Sequence, residues 1–489
     1  MKLKKIFGII SLVLLFLLPG TALAQNIRVC LQSNAPTAEF EVVYGRYEIN
    51  GGNLTAEKLG EAKAGDKIRT VRSGSGFTVY VNDEQLGTSG LNLSVLAVDE
   101  GDNVLKFGSR DYRGSFSLLT NGYVLNILDM EEYLYGVVGQ EIGYNAPEAA
   151  LEAQAIVSRS YACFNLGGTY YDVSATEASQ VYGGYTAETA AGGGNVVKAV
   201  DSTAHQVLYY GNDLVEAVFA SSAGGYTEDN ENVWGGQAVP YLRGVESPYD
   251  KEGYFMDWTV EYSPAELREL AEAYMQRIGQ SGSFGAFVRL EVSYAAAGGG
   301  STKSGRATSA SLVGTGATVT AKNDAVRTML NLRSNLFEVA GAGSQEKPAG
   351  SSSNSNNSNN NDQKKVYVLG ADGAAAERDW RELWAVGGGE AKRLLGDSDE
   401  AYMESSSGIH PLHKVTVTDP RLPQPAQPVN PGTAATEGVV LRGHGYGHGV
   451  GLSQYGAIGM AKDGYGAMEI LRHYYGGANS SLLTLREIK

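Results

Sequence analysis

Three patterns of apolar spacing succeed one another along the chain. The first is a nearly unbroken apolar run over residues 6–18, set behind Lys2, Lys4 and Lys5 and ended by Pro19 and Gly20. Ala22-Leu23-Ala24 follows as a small-residue cleavage pattern before Gln25. A positive start, a short apolar stretch and such a site predict a secretory signal peptide over 1–24, hence an exported, extracellular protein. The run falls short of the roughly 20 residues of a bilayer-spanning helix. An uncleaved membrane anchor through 6–18 is the alternative. No Cys follows the cleavage pattern, which argues against a lipoprotein.

The second pattern is short alternation. Residues 25–125 are rich in Val, Leu, Tyr, Gly and Asn, with runs such as Phe77-Thr78-Val79-Tyr80-Val81 and Tyr123-Val124-Leu125-Asn126-Ile127. These predict short strands joined by turns. The third pattern, helical, starts near 129. Asp129 is placed to cap, with Glu132 three residues on as in a capping box, and Tyr133, Leu134, Val137 and Val138 follow at helical spacing up to about Gly139. A second helix is predicted from Pro147 to about Leu166, ended by Gly167-Gly168, with Ala149, Ala153, Ile156, Ser160 and Cys163 on one closely packing stripe. Ser263-Pro264-Ala265-Glu266 opens a further capped helix, and Asn323 is placed to cap another through Leu332.

The fold these patterns predict is α+β: a β-rich N-terminal part, a helix pair, and a mixed body that closes with the C-terminal segment around a substrate groove. Composition changes abruptly after 340. Residues 351–361 are Ser and Asn alone, and residues 420–431 are Pro-rich, so both read as linkers. Between them, 364–419 is a small island with strand-like Lys365-Val366-Tyr367-Val368-Leu369 and the pair Trp380 and Trp384. The predicted division is therefore 1–24 signal peptide, 25–339 main domain, 340–437 linker-flanked insertion and 438–489 the rest of the main domain. There is no internal repeat.

Charge and cysteine content narrow the partners. Of 489 residues 43% are apolar, and the net charge is −15, becoming −18 once the three signal lysines are removed. That surface repels nucleic acid and anionic lipid and disfavours tight docking to anionic wall polymers. Cys30 and Cys163 either pair, as export permits, or are two small core residues.

Four segments concentrate candidate chemistry. The first is Glu132-Tyr133-Leu134-Tyr135-Gly136-Val137-Val138-Gly139-Gln140-Glu141 with Ala153-Gln154-Ala155 and Arg159-Ser160-Tyr161-Ala162. The second is Gln180-Val181-Tyr182-Gly183-Gly184. The third is Ser221-Ser222-Ala223-Gly224-Gly225-Tyr226-Thr227-Glu228 with Val233-Trp234-Gly235. The fourth is Gly443-His444-Gly445-Tyr446-Gly447-His448-Gly449-Val450-Gly451-Leu452-Ser453-Gln454-Tyr455-Gly456-Ala457. Glu141 is expected just past a helix end, between two helices, where a partly desolvated carboxyl can serve as general acid or base. The alternating glycines of the fourth segment imply unusual backbone geometry. It is no dinucleotide fingerprint, since Leu452 stands where a third Gly belongs, and no metalloprotease helix, since no Glu lies between the histidines. A metal site of His444, His448 and His473 is one alternative. A serine hydrolase is another, though neither Ser222 nor Ser453 lies in a Gly-x-Ser-x-Gly elbow.

Taken in order, the four segments resemble the SpoIID/LytB (stage II sporulation protein D) family, together with Ile27-Arg28-Val29, Gly305-Arg306 and Leu332-Arg333-Ser334-Asn335-Leu336-Phe337. That family includes lytic transglycosylases acting on peptidoglycan glycan strands, notably strands without stem peptides, and proteins described as amidase enhancers. The resemblance implies Glu141 as the catalytic group. It implies Arg159, Tyr161, Gln180, Tyr182, Ser222, Tyr226, His444, His448, Ser453 and Gln454 as residues lining or supporting the groove. Implied partners are glycan strands and, in the enhancer case, a cell-wall amidase. Some members carry His and Cys metal ligands before the Gln-Val-Tyr. Here that stretch is Thr176-Glu177-Ala178-Ser179, so the expectation is a protein without metal or cofactor.

Overall fold

The structure is a computed structural model that describes residues 25–52, 57–99, 101–252, 257–340, 434–477 and 479–488, together with the backbone of strands between 365 and 411. The predicted signal peptide, both linkers and Trp380 lie outside the described residues. Lys365–Leu369 is a strand, as its composition predicts.

Alternation builds the N-terminal part. In Thr37–Tyr44 the side chains of Ala38, Phe40 and Val42 are buried while Thr37, Glu39 and Glu41 are exposed, the period of a half-buried strand. Two antiparallel-rich sheets result. One runs in the order Val173–Ser174, Asn26–Gln32, Val124–Asp129, Ser115–Leu118, Leu93–Ala97, Arg46–Gly51, Glu57–Lys63. The other runs Arg110–Arg113, Val104–Phe107, Thr37–Tyr44, Lys67–Ser73, Gly76–Val81, Glu84–Ser89. They meet through their buried faces, where the rings of Phe40 and Phe116 lie 5.1 Å apart. The fold class is α+β, as read from the sequence.

The strand Val124–Asp129 runs straight into three helices: α1 (Met130–Tyr135), α2 (Val138–Ile142) and α3 (Glu148–Phe164). Asp129 caps α1, its side chain accepting from the Glu131 N–H. Pro147 sits at the cap of α3 rather than inside its first turn. The single predicted stripe of α3 is too narrow a picture. Ala150, Leu151, Val157 and Ala162 are buried along with Ala153 and Ile156, because α3 runs through the middle of the body and is packed on several sides. Its small residues permit that approach.

α3 also carries a charge into the core. Arg159 is fully buried, and its guanidinium bonds Glu131 of α1 through Nε (2.9 Å) and Nη2 (2.6 Å). It also reaches the carbonyls of Gln206 (3.1 Å) and Val200 (3.3 Å). Glu131 in turn accepts the His205 N–H at 3.0 Å. Cys30 and Cys163 are both free thiols. Cys163 packs beside the core, where burial pushes its thiol up to about 12, the behaviour of a packing residue.

A second, separate core gathers Trp258, Leu267, Phe284, Phe287, Leu312, Val319, Met329, Phe337 and Leu441. The capped helix predicted from Ser263 is there, at Pro264–Ile278, with its capping box. The predicted Asn323 cap is displaced by one residue. Asp324 precedes the helix Ala325–Met329, while Asn323 adopts a left-handed φ of 56° and spends its side chain on the carbonyl of Asn232. The strand Val439–His444 fits between Asp257–Tyr262 and Phe337–Ala340, with Ala340 opposite Val440. The chain thus leaves this sheet and re-enters it at adjoining positions. No helix among the described residues is long and apolar enough to cross a membrane.

Removing one member of a buried ion pair strands the other charge, at a cost of about 3–5 kcal/mol, whereas replacing both by apolar groups is often near neutral. Arg159→Ala is therefore expected to lower unfolding free energy by about that amount in urea titrations. The double variant Glu131→Leu, Arg159→Met should recover most of the loss. Equal losses in the single and double variants would contradict this account.

Candidate functional site

α1 and α2 replace the one helix expected to reach Gly139. The Gly136 carbonyl accepts from Gly183 N–H at 2.8 Å, which takes it out of the helical ladder, and the chain restarts at Val138. Glu141 therefore lies in the last turn of a short helix, not past a helix end. Two local features fix it there. The Tyr144 ring lies against Gly139, where an added Cβ would fall 2.3 Å from the ring. The Tyr144 hydroxyl accepts from Gln140 at 2.5 Å.

Both oxygens of Glu141 are engaged. Oε1 accepts the Val181 N–H at 2.6 Å, and Oε2 accepts Gln454 Nε2 at 3.2 Å. These two donors favour the carboxylate, but burial opposes them and is the larger effect. The negative Glu177 pushes the same way, so the acid is held above the usual carboxylate range. The charge of Glu141 is felt by the buried Tyr133 and by Tyr161, whose ring lies 6.5 Å from Phe219.

Gln454 reaches Glu141 because of how the third and fourth segments interlock. Phe219–Ala220 pairs in parallel with Leu452–Ser453, and Ser222 forms a bridge with Tyr446. Asp250, buried, accepts Ser453 Oγ at 2.6 Å and Ala223 N–H at 2.9 Å, so one carboxylate ties the loop to the helix Gln454–Lys462. Arg306, also buried, donates to the carbonyls of Tyr226 (2.6 Å) and Ala223 (2.8 Å). Gly449 has φ 73° and lies against that guanidinium, so an added Cβ would fall 2.2 Å from Nη2. Only glycine fits both constraints.

The predicted site residues therefore divide. Glu141, Gln454 and Tyr161 come together. Arg159, Gln180, Tyr182 and Ser453 do not line a groove, because each is buried with its polar atoms used inside the protein. Gln180 accepts from Tyr133 at 3.0 Å, Tyr182 donates to Asn126 at 2.9 Å, and Ser453 holds Asp250. Ser222 is likewise buried in its bridge to Tyr446. Tyr226 is half-buried and acts here through its carbonyl. His448 lies under Trp234, ring centroids 5.0 Å apart, with Nδ1 accepting Val450 N–H at 3.1 Å. Burial pushes its pKa down to about 4, and its Nδ1 supports the backbone of the loop. His444 is exposed and pairs with Asp257 at 2.6 Å.

The three-histidine metal alternative fails on this geometry. His473 bonds the Glu246 carbonyl at 2.8 Å, His444 and His448 have the partners just described, and no three His, Cys, Asp or Glu side chains cluster as a metal site among the described residues. Asp250 escaped the sequence reading because a lone Asp carries no pattern. Only its two long-range bonds reveal it.

Comparison with known proteins places residues 120–210 in a match to the family described as Stage II sporulation protein. That span takes in the first two segments, and the third and fourth lie beyond it. The chain is 32% identical to a protein of Brachyspira hyodysenteriae over 178 residues, 34% of this chain and 47% of the other. It is 37% identical to the Amidase enhancer of Bacillus subtilis over 134 residues, 27% of this chain and 17% of the other. It is 32% identical to Stage II sporulation protein D of Bacillus subtilis over 158 residues, 29% of this chain and 45% of the other. The chain thus spans less than half the length of each of these relatives. The resemblance to the SpoIID/LytB family is borne out.

Because the fold raises the Glu141 pKa, folding is favoured while the group is protonated in both states, and that advantage is lost as pH rises through the folded-state value. Glu141→Gln removes the penalty of a buried charge. The variant is expected to melt roughly a few degrees above the parent at neutral pH and level with it below the ordinary Glu range, near pH ~4. A variant less stable than the parent at neutral pH would show that the two N–H donors outweigh burial.

Proposed function

We propose that this chain is an exported peptidoglycan lytic transglycosylase in which Glu141 alone serves as acid and then base. The observation that carries the reading is the state of Glu141: half-buried, raised in pKa by desolvation, and held on both oxygens by Val181 N–H and Gln454. The resemblance to the SpoIID/LytB family supplies the substrate class, glycan strands, with strands lacking stem peptides preferred. Residues 1–24 would be removed on export. The groove is assigned to 25–339 and 438–489, with 340–437 inserted.

The chemistry needs no water. Protonated Glu141 gives its proton to the glycosidic oxygen as the bond to the anomeric carbon of N-acetylmuramic acid breaks. The resulting carboxylate takes the proton from the 6-hydroxyl of the same sugar as that oxygen closes a 1,6-anhydro ring. The proton count balances, and the acid is regenerated. A Gln partner suits both halves of the cycle, since its amide offers a donor to a carboxylate and, turned over, an acceptor to a carboxylic acid. A hydrolase would instead require a second carboxylate to direct water. Glu177, exposed and close enough for its charge to act on Glu141, is the group to watch for that outcome.

A second reading has support of its own: the relative named Amidase enhancer is 37% identical where it matches. Under it, the chain binds the wall and stimulates an amidase without cutting glycan.

Digestion of purified sacculi, with and without prior amidase treatment, separates these by product mass. The parent is expected to release anhydro-muramyl ends, faster from treated sacculi. Glu141→Gln should lose about 10²–10⁴ of the rate, the usual worth of a positioned acid or base. Products with reducing ends would indicate hydrolysis. No product from the parent, with faster amidase turnover when it is added, would favour the enhancer reading.

A further inference from the structure

Two large aromatic side chains stay exposed where the third and fourth segments meet: Trp234 at 45% and Tyr446 at 39%. Exposed aromatic rings are suited to stack on the apolar face of a sugar. Several contacts bring a helix that carries a cation alongside. The Val233 carbonyl accepts Asp324 N–H at 2.8 Å, which joins Trp234 to the start of the helix Ala325–Met329. Asn323 Nδ2 adds a bond to the Asn232 carbonyl at 3.1 Å. That helix carries Arg327. The loop bearing Tyr446 and His448 is tied alongside, since Gly447 N–H donates to the Arg333 carbonyl at 2.8 Å and the His448 ring supports Trp234 at 5.0 Å.

Arg327 is held but not used up. Asp324 takes Nε (3.1 Å) and Nη2 (2.9 Å), which leaves Nη1 outside that pair, and the side chain is 31% exposed. Arg327 acts electrostatically on the loop that carries Tyr446 and on Glu177, the acid whose charge reaches Glu141.

We propose that Trp234, Tyr446 and Arg327 form a glycan subsite in which the rings carry a sugar face and the guanidinium reads a carboxylate on that sugar. The proposal rests on the glycan reading of Glu141 and makes it more specific. In muramic acid the lactyl group ends in an amide while a stem peptide is attached and in a free carboxylate once the peptide is gone. A guanidinium held by Asp324 through Nε and Nη2 keeps Nη1 outside that pair, and a second carboxylate taken there would separate the two forms. An unsubstituted N-acetylglucosamine oligomer presents no such charge.

The test uses the full chain carrying Glu141→Gln, so that ligand is not consumed, and titrates peptide-free muramyl tetrasaccharide against chitotetraose by calorimetry. The muramyl ligand is expected to bind about 10-fold tighter, the yield of one partly exposed charge-assisted pair. Adding Arg327→Gln should bring the two affinities together, and adding Arg327→Lys instead should keep most of the preference, which a merely structural role would not. Adding Trp234→Ala should weaken both ligands about 10-fold without changing their ratio. A preference that survives Arg327→Gln, or Trp234→Ala binding as tightly as its background, overturns the subsite. Failure of the parent to make anhydro products from sacculi, with these binding differences intact, would overturn the transglycosylase reading and leave the subsite standing.

Discussion

Arg159 is wholly out of water, with Glu131 as its counter-charge, and the geometry of that pair governs where the rest of the helical body sits. The guanidinium is planar and forked, so it accepts only a narrow set of approaches between α1 and α3. α1 is followed within three residues by α2, whose last turn carries Glu141. A buried ion pair adds little net stability compared with an apolar replacement. What it adds here is a fixed direction for the chain that delivers the candidate acid. The carbonyls of Gln206 and Val200 on the same guanidinium extend that fixity to the strand that pairs with the C-terminal Leu483–Glu487.

A second pair of buried charges does for the loops what Arg159 does for the helices. Asp250 and Arg306 both grip Ala223, one at its N–H and the other at its carbonyl. Arg306 comes from the region of the second core, and Asp250 passes its hold to Ser453 and so to the helix that opens with Gln454. The residues that touch Glu141 are thereby drawn from positions far apart in sequence, 181 and 454, and registered by groups that form no hydrogen bond with it. This explains why so many residues of the four segments turn out to be buried. Arg159, Gln180, Tyr182 and Ser453 keep the acid in place by packing and internal bonds, and their chemistry is spent inside the protein.

The sequence was most legible where structure follows from local spacing. The strands of 25–129, the course of α3 and the capping box at Ser263 and Glu266 all come from patterns within a few residues. The break between α1 and α2 was not legible, because it is caused by Gly183, far along the chain, capturing the Gly136 carbonyl. The left-handed Asn323 was missed for the same reason, as its side chain serves the carbonyl of Asn232 and not its own helix. Within the site, Glu141 and Gln454 were both in segments that stood out, but only the fold shows that they touch. Of the groups around them, Asp250 had no local signal at all. The placement of Trp234 beside the helix that carries Arg327 emerges only when the Val233 carbonyl is seen to bond Asp324, the residue that precedes that helix.

The opposition of Ala340 and Val440 on neighbouring strands has a consequence for how this architecture tolerates change. The residues between them begin and end on adjoining rungs of one ladder, so for the fold they are a hairpin connection of unusual length. Closure entropy grows only logarithmically with loop length, with each doubling costing about 0.6 kcal/mol. Chain can be lengthened, shortened or exchanged at this one seam with little effect on the sheet that closes the second core. No such latitude exists between Ser221 and Glu228, where Asp250, Arg306 and Gly449 leave no room for an extra residue. The molecule thus pairs a tightly registered candidate site with a point of insertion at the edge of its second core, and the two are free to diverge independently.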